Sequence, residues 1–249
     1  MLRQLAVHLC CASAVGVALA AGSGFAQTNA PAGHPDFTGI WRSYQGPGGS
    51  GGVGQGELPF RDEARRKIDE YRTLVDPGGD TPGGHCVGYG MPDSMLRSGG
   101  YPMEIIQRPD QITIVYEAHS EIRRVYFGER IIPERDRFPE RNGYSTGRWE
   151  GDTLVVETTQ LKEQVDQRFA HSEQARIVER YRMTTDEAGK RVLAAEMTMT
   201  DPGFYKEPVS AVKRWERVPN GFLMTYECNE PAWHEHLEGL RKAAAARSR

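Results

Sequence analysis

The sequence predicts a mainly β fold: a closed, antiparallel up-and-down barrel of about eight to ten strands, preceded by a helix and followed by a helical or frayed tail. Three observations carry this. Tyr144 to Thr158 reads as a β-hairpin, with two alternating arms around Glu150-Gly151-Asp152, whose Gly beside Asp suits a tight turn. From Tyr101 onward, short alternating runs follow one another at meander-like spacing, separated by turn chemistry such as Pro109-Asp110, Asp186-Glu187-Ala188-Gly189 and Pro219-Asn220-Gly221. A sheet of so many strands must hide its two edges, and closing on itself is the economical way; a β-sandwich is the alternative.

The elements follow in order. Residues 1–26 read as an export signal: a positive start at Arg3, an apolar run from Leu5 to Ala21, and small residues at Gly24 and Ala26 where a peptidase cuts. Residues 27–35 form a small-residue tail, and the barrel domain spans 36–230. Asp36 to Ser43 gives an opening strand, and the glycine-dense stretch Gly46 to Gly56 a loop. Leu58 to Val75 is a helix, with Ala64, Ile68 and Tyr71 on one stripe amid charged residues. Pro77 to Pro92 is irregular. The strands are then Met103–Gln107, Gln111–His119, Glu121–Gly128, the two hairpin arms, Arg176–Thr185, Arg191–Thr200, Val209–Val218 and Gly221–Cys228. Residues 231–249 are a polar, alanine-rich tail.

Removing the signal takes Cys10 and Cys11 with it. No small residue precedes either cysteine as lipid attachment would need, so both leave with the signal. The remaining pair, Cys86 and Cys228, is expected to form a disulfide in an exported chain, worth about 2–5 kcal/mol; two separate buried thiols are the competing reading. The pair would tie the start of the barrel to its last strand. Only His85 stands near either cysteine as a further ligand, so no metal site is expected. The expected address is the periplasm or the outside of the cell.

Charge and hydropathy exclude several classes. The whole chain carries −3, from 31 basic and 34 acidic side chains, and −4 once Arg3 is removed. The two signs are interspersed without a basic stripe, so no nucleic-acid partner is expected. Beyond the signal, nothing is apolar for long enough to span a bilayer as a helix, so no membrane anchor is expected after processing. The Gly-x-Ser-x-Gly and Gly-x-Gly-x-x-Gly spacings fall only within the glycine-dense loop, without the strand–turn–helix setting of a nucleophile elbow or a dinucleotide fingerprint; there is no His-Glu-x-x-His motif, and no cofactor is expected. His234 and His236 flank Glu235 at a spacing that suits a strand face rather than a helix face, and read as surface residues.

Several strands are polar on a face that could look inward. Glu117 with His119, Glu179 with Tyr181, Glu196 with Thr198 and Thr200, and Arg214 with Glu216 share faces. A small barrel filled with aliphatic side chains would not need them, so the pattern favours a wet or ligand-holding interior over a ring of surface ion pairs.

Gly39-Ile40-Trp41 on the opening strand, taken with the strand number, resembles the lipocalin/calycin architecture. That resemblance implies a late-strand basic residue packed against the Gly-x-Trp, here Arg214 or Arg217. Nearly the whole mature chain also resembles a large group of exported bacterial proteins with no settled activity. The matching motifs are Cys86-Val87-Gly88-Tyr89-Gly90-Met91-Pro92, Tyr101 to Gln107, Val115-Tyr116-Glu117, Gly143 to Val156, His171-Ser172-Glu173, Asp201-Pro202 and Tyr226 to Glu230. The chain departs from the group at Tyr144, where the pattern has a His, and at Ile132-Pro133, where it has His-Pro.

The residues support two functions. One is an exported barrel that holds a small, partly apolar molecule, with Tyr144, Arg148, Glu104, Tyr116 and Arg124 as candidate ligand contacts. The other is a cofactor-free lyase, isomerase or hydrolase. There His171 would serve as general acid or base, with Asp166 to orient it and an inward carboxylate such as Glu117 to assist. Convergence of His171 and Tyr144 with Glu104, Glu117 or Arg124 in one concavity would favour catalysis. Trp149 reads as a packing anchor of the hairpin.

Overall fold

A computed structural model of the chain describes residues 33–52, 56–97 and 100–229, with a few positions after 229. The signal 1–26, residues 27–32 and most of the 231–249 tail, His236 among them, lie outside the described residues.

Strands β1 (Gly39–Ser43), β3 (Met103–Gln107), β4 (Gln111–Tyr116), β5 (Glu121–Tyr126), β6 (Tyr144–Glu150), β7 (Thr153–Thr159), β8 (Arg176–Thr185), β9 (Arg191–Thr200) and β10 (Val209–Arg217) close into a barrel through β1 and β10. Two helices, α1 (Asp62–Val75) and α2 (Asp93–Leu96), accompany it. The mainly β, closed fold is the expected one, with one change: β5 and β6 run parallel, joined through the crossover segment 127–143. Parity requires this. A ring of nine strands cannot alternate throughout, and here the eight other neighbours are antiparallel, closure included.

Several boundaries differ from expectation: the opening strand begins at Gly39, the helix at Asp62, and the strand from Glu121 ends at Tyr126, while three further differences have a visible cause. The strand from Gln111 ends at Tyr116, because His119 and Ser120 turn the chain at φ 57° and 51°. In the glycine-dense loop, β2 (Gly51–Gly52) pairs with β10. At Gly51 a Cβ would stand 2.3 Å from the Val212 carbonyl oxygen, so only glycine lets the backbone lie so close. Gly221–Cys228 is not a strand. Both edges of β10 are already used, one by β9 and the other by β1 and β2, so no edge remains for it. The segment is instead held by Met224 N donating to Glu117 Oε2 (2.7 Å) and by the Cys86–Cys228 disulfide, with Cα atoms 5.5 Å apart. The disulfide therefore ties down a coil rather than a last strand.

The inward positions fill the barrel. Ile112, Ile114, Val125, Val156, Ile177, Ala195, Met197 and Met199 are each no more than 3% exposed and form a packed core. Trp41 donates its indole N–H to the Phe37 carbonyl (2.8 Å), and Arg217 lies against Gly39, its Nε 3.0 Å from where a Cβ would be. Arg217 thus fills the role expected of a late-strand basic residue. Arg214 instead contacts the carbonyls of Gly48 and Gly49. All four residues of α2 are buried, and Lys213 Nζ reaches its last carbonyl, Leu96 O (3.3 Å).

One charged pair sits in this interior. Arg123 on β5 is 1% exposed and Glu179 on β8 is fully buried. Arg123 Nη1 donates to Glu179 Oε1 (3.0 Å) and Nη2 to Glu179 Oε2; Nε donates to Ser145 Oγ (3.1 Å) and Nη2 also to Thr158 Oγ1 (2.7 Å). The Tyr181 hydroxyl stands 2.9 Å from Glu179 Oε1. Burial disfavours the guanidinium charge, yet Glu179 overrides it and holds Arg123 above its ordinary value. Glu179 and Tyr181 face inward as one reading required, but they bond to the protein. The expected wet interior is absent: Glu196, Thr198 and Thr200 point outward, and Glu196 pairs with Arg182.

Removing one partner strands a buried charge, so Glu179→Gln should cost about 3–5 kcal/mol in a guanidinium unfolding titration. Arg123→Met combined with Glu179→Leu should recover most of that loss, because Ser145 and Thr158 can still bond each other (2.8 Å). Replacing Cys86 and Cys228 by Ser should lower stability by about 2–5 kcal/mol in the same titration.

Candidate functional site

A concavity lies outside the barrel, where α1 faces the chain around 80–83 and the loop 165–168. It is a cleft of about 770 Å³. Its apolar lining includes Phe60, Ile68, Val75 and Val165, with the Tyr71 and Tyr89 rings, and its polar groups include Arg97, Asp166 and Arg168. Helix α1 forms one wall because Ala64 and Ile68 are its buried stripe, while Arg66 pairs outward with Glu63 and Glu70. The stretch leading into α1 is pinned by Phe60, whose ring packs on Tyr205 at 4.8 Å.

The Tyr89 wall is fixed by hydrogen bonds on both sides of its backbone. Glu121, at the start of β5, accepts from Tyr89 N (3.0 Å), Gly90 N (2.9 Å) and Ser94 Oγ (2.7 Å). The Tyr89 carbonyl accepts from Gln164 Nε2 (2.8 Å) and Gln167 Nε2 (3.0 Å). Gly90 has φ 73°, and a Cβ there would come within 2.6 Å of the Arg141 carbonyl oxygen. Arg141 bonds Gly88 O (2.9 Å) and pairs with Asp166 (2.7 Å). The Cys86-to-Pro92 motif is thus the built side of the cleft.

Behind the cleft lies Asp93, fully buried at the start of α2. Its Oδ2 accepts from Arg168 N (3.1 Å) and stands 3.7 Å from Arg97 Nη1, while Oδ1 is buried without a hydrogen-bond partner. Burial pushes this carboxyl up to about 6, against the pull of Arg97 and the Arg168 N–H. No group of three or more His, Cys, Asp or Glu among the described residues could hold a metal ion.

The residues singled out from sequence do not converge. His171 is fully buried; its Nδ1 lies 2.8 Å from the Phe169 carbonyl and so carries the proton, and Nε2 is sealed in without a hydrogen bond. Burial lowers its pKa and keeps it neutral. Its neighbour Ser172 bonds Asp201 through N (2.7 Å) and Oγ (2.6 Å), so the His-Ser-Glu and Asp-Pro motifs meet as a structural clasp. Asp166 belongs to the cleft, paired with Arg141 rather than with His171. Glu117 fastens the 221–228 coil. Tyr116 is in the barrel core. Arg124 is exposed and Glu104 half-buried on the opposite face of their strands, and Arg148 pairs with Glu150 (2.8 Å) at the surface. Tyr144 stacks on Tyr126 beneath Arg137, and its hydroxyl accepts from Ile132 N (3.0 Å). The two positions that depart from the group's pattern are therefore in contact. Trp149 is the expected anchor, stacked on His34 at 4.6 Å and tilted against Phe37.

Asp93, Arg97, Tyr89 and Arg168 were not singled out. Tyr89 lay within a quoted motif, but nothing in the spacing of these four shows that an irregular segment and a loop some 75 residues apart face each other. A scan against protein-family models and a search of curated proteins each find no match to this chain. The likeness to the exported bacterial group rests on the motifs alone.

Asp93 and His171 make opposite demands on pH. Asp93 has a folded value raised above the unfolded 3.8, so its contribution is fully present below that pH and is lost as pH rises through about 6. His171 has a folded value below the unfolded 6.5, so its contribution is present above 6.5 and fades as pH falls. Between about pH 4 and pH 7, wild type should lose about 2–3 kcal/mol relative to Asp93→Asn, read from urea midpoints across pH. Parallel pH curves would contradict it.

Proposed function

We propose that this is an exported barrel protein that binds a small, partly apolar molecule in the cleft between α1 and the 165–168 loop, outside the barrel. The observation that carries the reading is the cleft itself: its volume of about 770 Å³ is that of a small-molecule site, and it sets Phe60, Ile68, Val75 and Val165 with the Tyr71 and Tyr89 rings beside nine charged side chains. The packed interior supports an outside location, since buried core side chains occupy the inward positions. Export is supported by the signal-like first 26 residues and by the disulfide. Among the described residues no helix is long and apolar enough to cross a membrane. A catalytic role for His171 has little to support it, because the ring is sealed away from the cleft.

Native mass spectrometry of gently purified protein, followed by extraction, should reveal a co-purified molecule below about 1,000 Å³ in volume. Val165→Arg, which places a charged side chain into the cleft, should reduce its retention at least about tenfold without unfolding the barrel. Retention unchanged by Val165→Arg would overturn the assignment.

A further inference from the structure

The cleft has an ionic feature that its shape alone does not explain. Arg97 lines it with a side chain that is half exposed, and it pairs with Asp93, 3.7 Å behind it. Asp93 keeps one oxygen, Oδ1, buried and without a partner. Arg97 therefore stands between a buried carboxylate and whatever occupies the cleft. An ionised Asp93 draws the guanidinium back; a protonated Asp93 does not, and it no longer repels an anion in front.

The other ionisable groups around Asp93 are accounted for. Arg168 gives its backbone N–H to Asp93 and adds its own charge from the 165–168 loop. Asp166, on the same loop, is paired with Arg141. Tyr205 faces Asp93 from the turn after β9, and its hydroxyl donates to the Ala170 carbonyl (2.8 Å).

From this arrangement we infer that the cleft takes a molecule with an aromatic or apolar body and one anionic group, that Arg97 receives the anionic group, and that binding is accompanied by protonation of Asp93. The inference rests on the cleft being the binding site. Burial already places the Asp93 proton near the physiological range, so the coupling operates at ordinary pH. By linkage, the anion raises the proton affinity of Asp93 by the same factor as the proton raises the affinity for the anion.

The test is calorimetric titration of the mature protein with two probes at about pH 5 and about pH 7.5, a span that brackets the raised carboxyl. 1-Naphthalenesulfonate is ionised throughout, and 1-naphthalenemethanol is neutral. Wild type should bind the sulfonate roughly tenfold tighter at the lower pH and the alcohol equally at both. Asp93→Asn should bind the sulfonate at both pH values with the wild-type low-pH affinity, and Arg97→Gln should lose the preference for the sulfonate. If the alcohol binds but sulfonate affinity in wild type is the same at both pH values, the inference fails and the cleft reading stands. If neither probe binds, both fail. A pH dependence that survives in Asp93→Asn also overturns the role of Asp93.

Discussion

A guanidinium and a carboxylate enclosed in a packed barrel core can exist only if nearly every donor and acceptor is used. Arg123 meets this by spending four of its five N–H groups on Glu179, Ser145 and Thr158. These partners come from β8, β6 and β7, and Arg123 itself from β5, so one side chain fastens four consecutive strands. Two of them, β5 and β6, form the single parallel seam, where backbone pairing covers only Val125 with Ser145 and Tyr126 with Thr146. The Arg123–Ser145 bond crosses that seam. The polar centre thus supports the ring where its ladder is shortest.

Strand β5 also joins the core to the cleft. Glu121, two residues before Arg123 and so on the same face, anchors Tyr89, Gly90 and Ser94. Arg123 faces the packed centre while Glu121 holds the wall of the outer site. A rigid barrel with one clamped loop and one helix beside it is a frame on which a binding site can be built from irregular chain without losing its shape. The disulfide adds a covalent tie to the same region, because Cys86 ends the turn 82–85 next to Pro82 and Gly83 of the cleft.

Period-2 alternation and turn chemistry are local signals, so the hairpin Tyr144–Thr158, strands β8 and β9 and the body of α1 are legible from neighbours in sequence, while the Cys86–Cys228 pair follows from only two cysteines remaining in an exported chain. What escaped was non-local. Glu179 and Tyr181 were recognised as sharing a face, but the alternation cannot say that Arg123 would meet them and fill the space they seemed to leave. The parallel β5–β6 pair depends on the parity of the whole ring. Gly221–Cys228 looks like a strand by composition and is refused only because β1 and β2 hold the edge of β10. His171 is a titratable group in a motif, whereas its complete burial, with Nδ1 on the Phe169 carbonyl and its backbone paired with Gln164, is set by tertiary packing. Asp93 lies just past the irregular stretch Pro77 to Pro92, with no local signal of its own, and its buried, half-satisfied carboxyl is a product of tertiary packing.

The central claim is that the barrel is solid and the ligand sits beside it. Methyl NMR during titration with 1-naphthalenemethanol locates a bound molecule directly. The account predicts shifts at the cleft methyls of Ile68, Val75 and Val165, with Val156, Ile177 and Met197 unmoved. Shifts centred on Val156, Ile177 and Met197 would place the guest inside the barrel and contradict it.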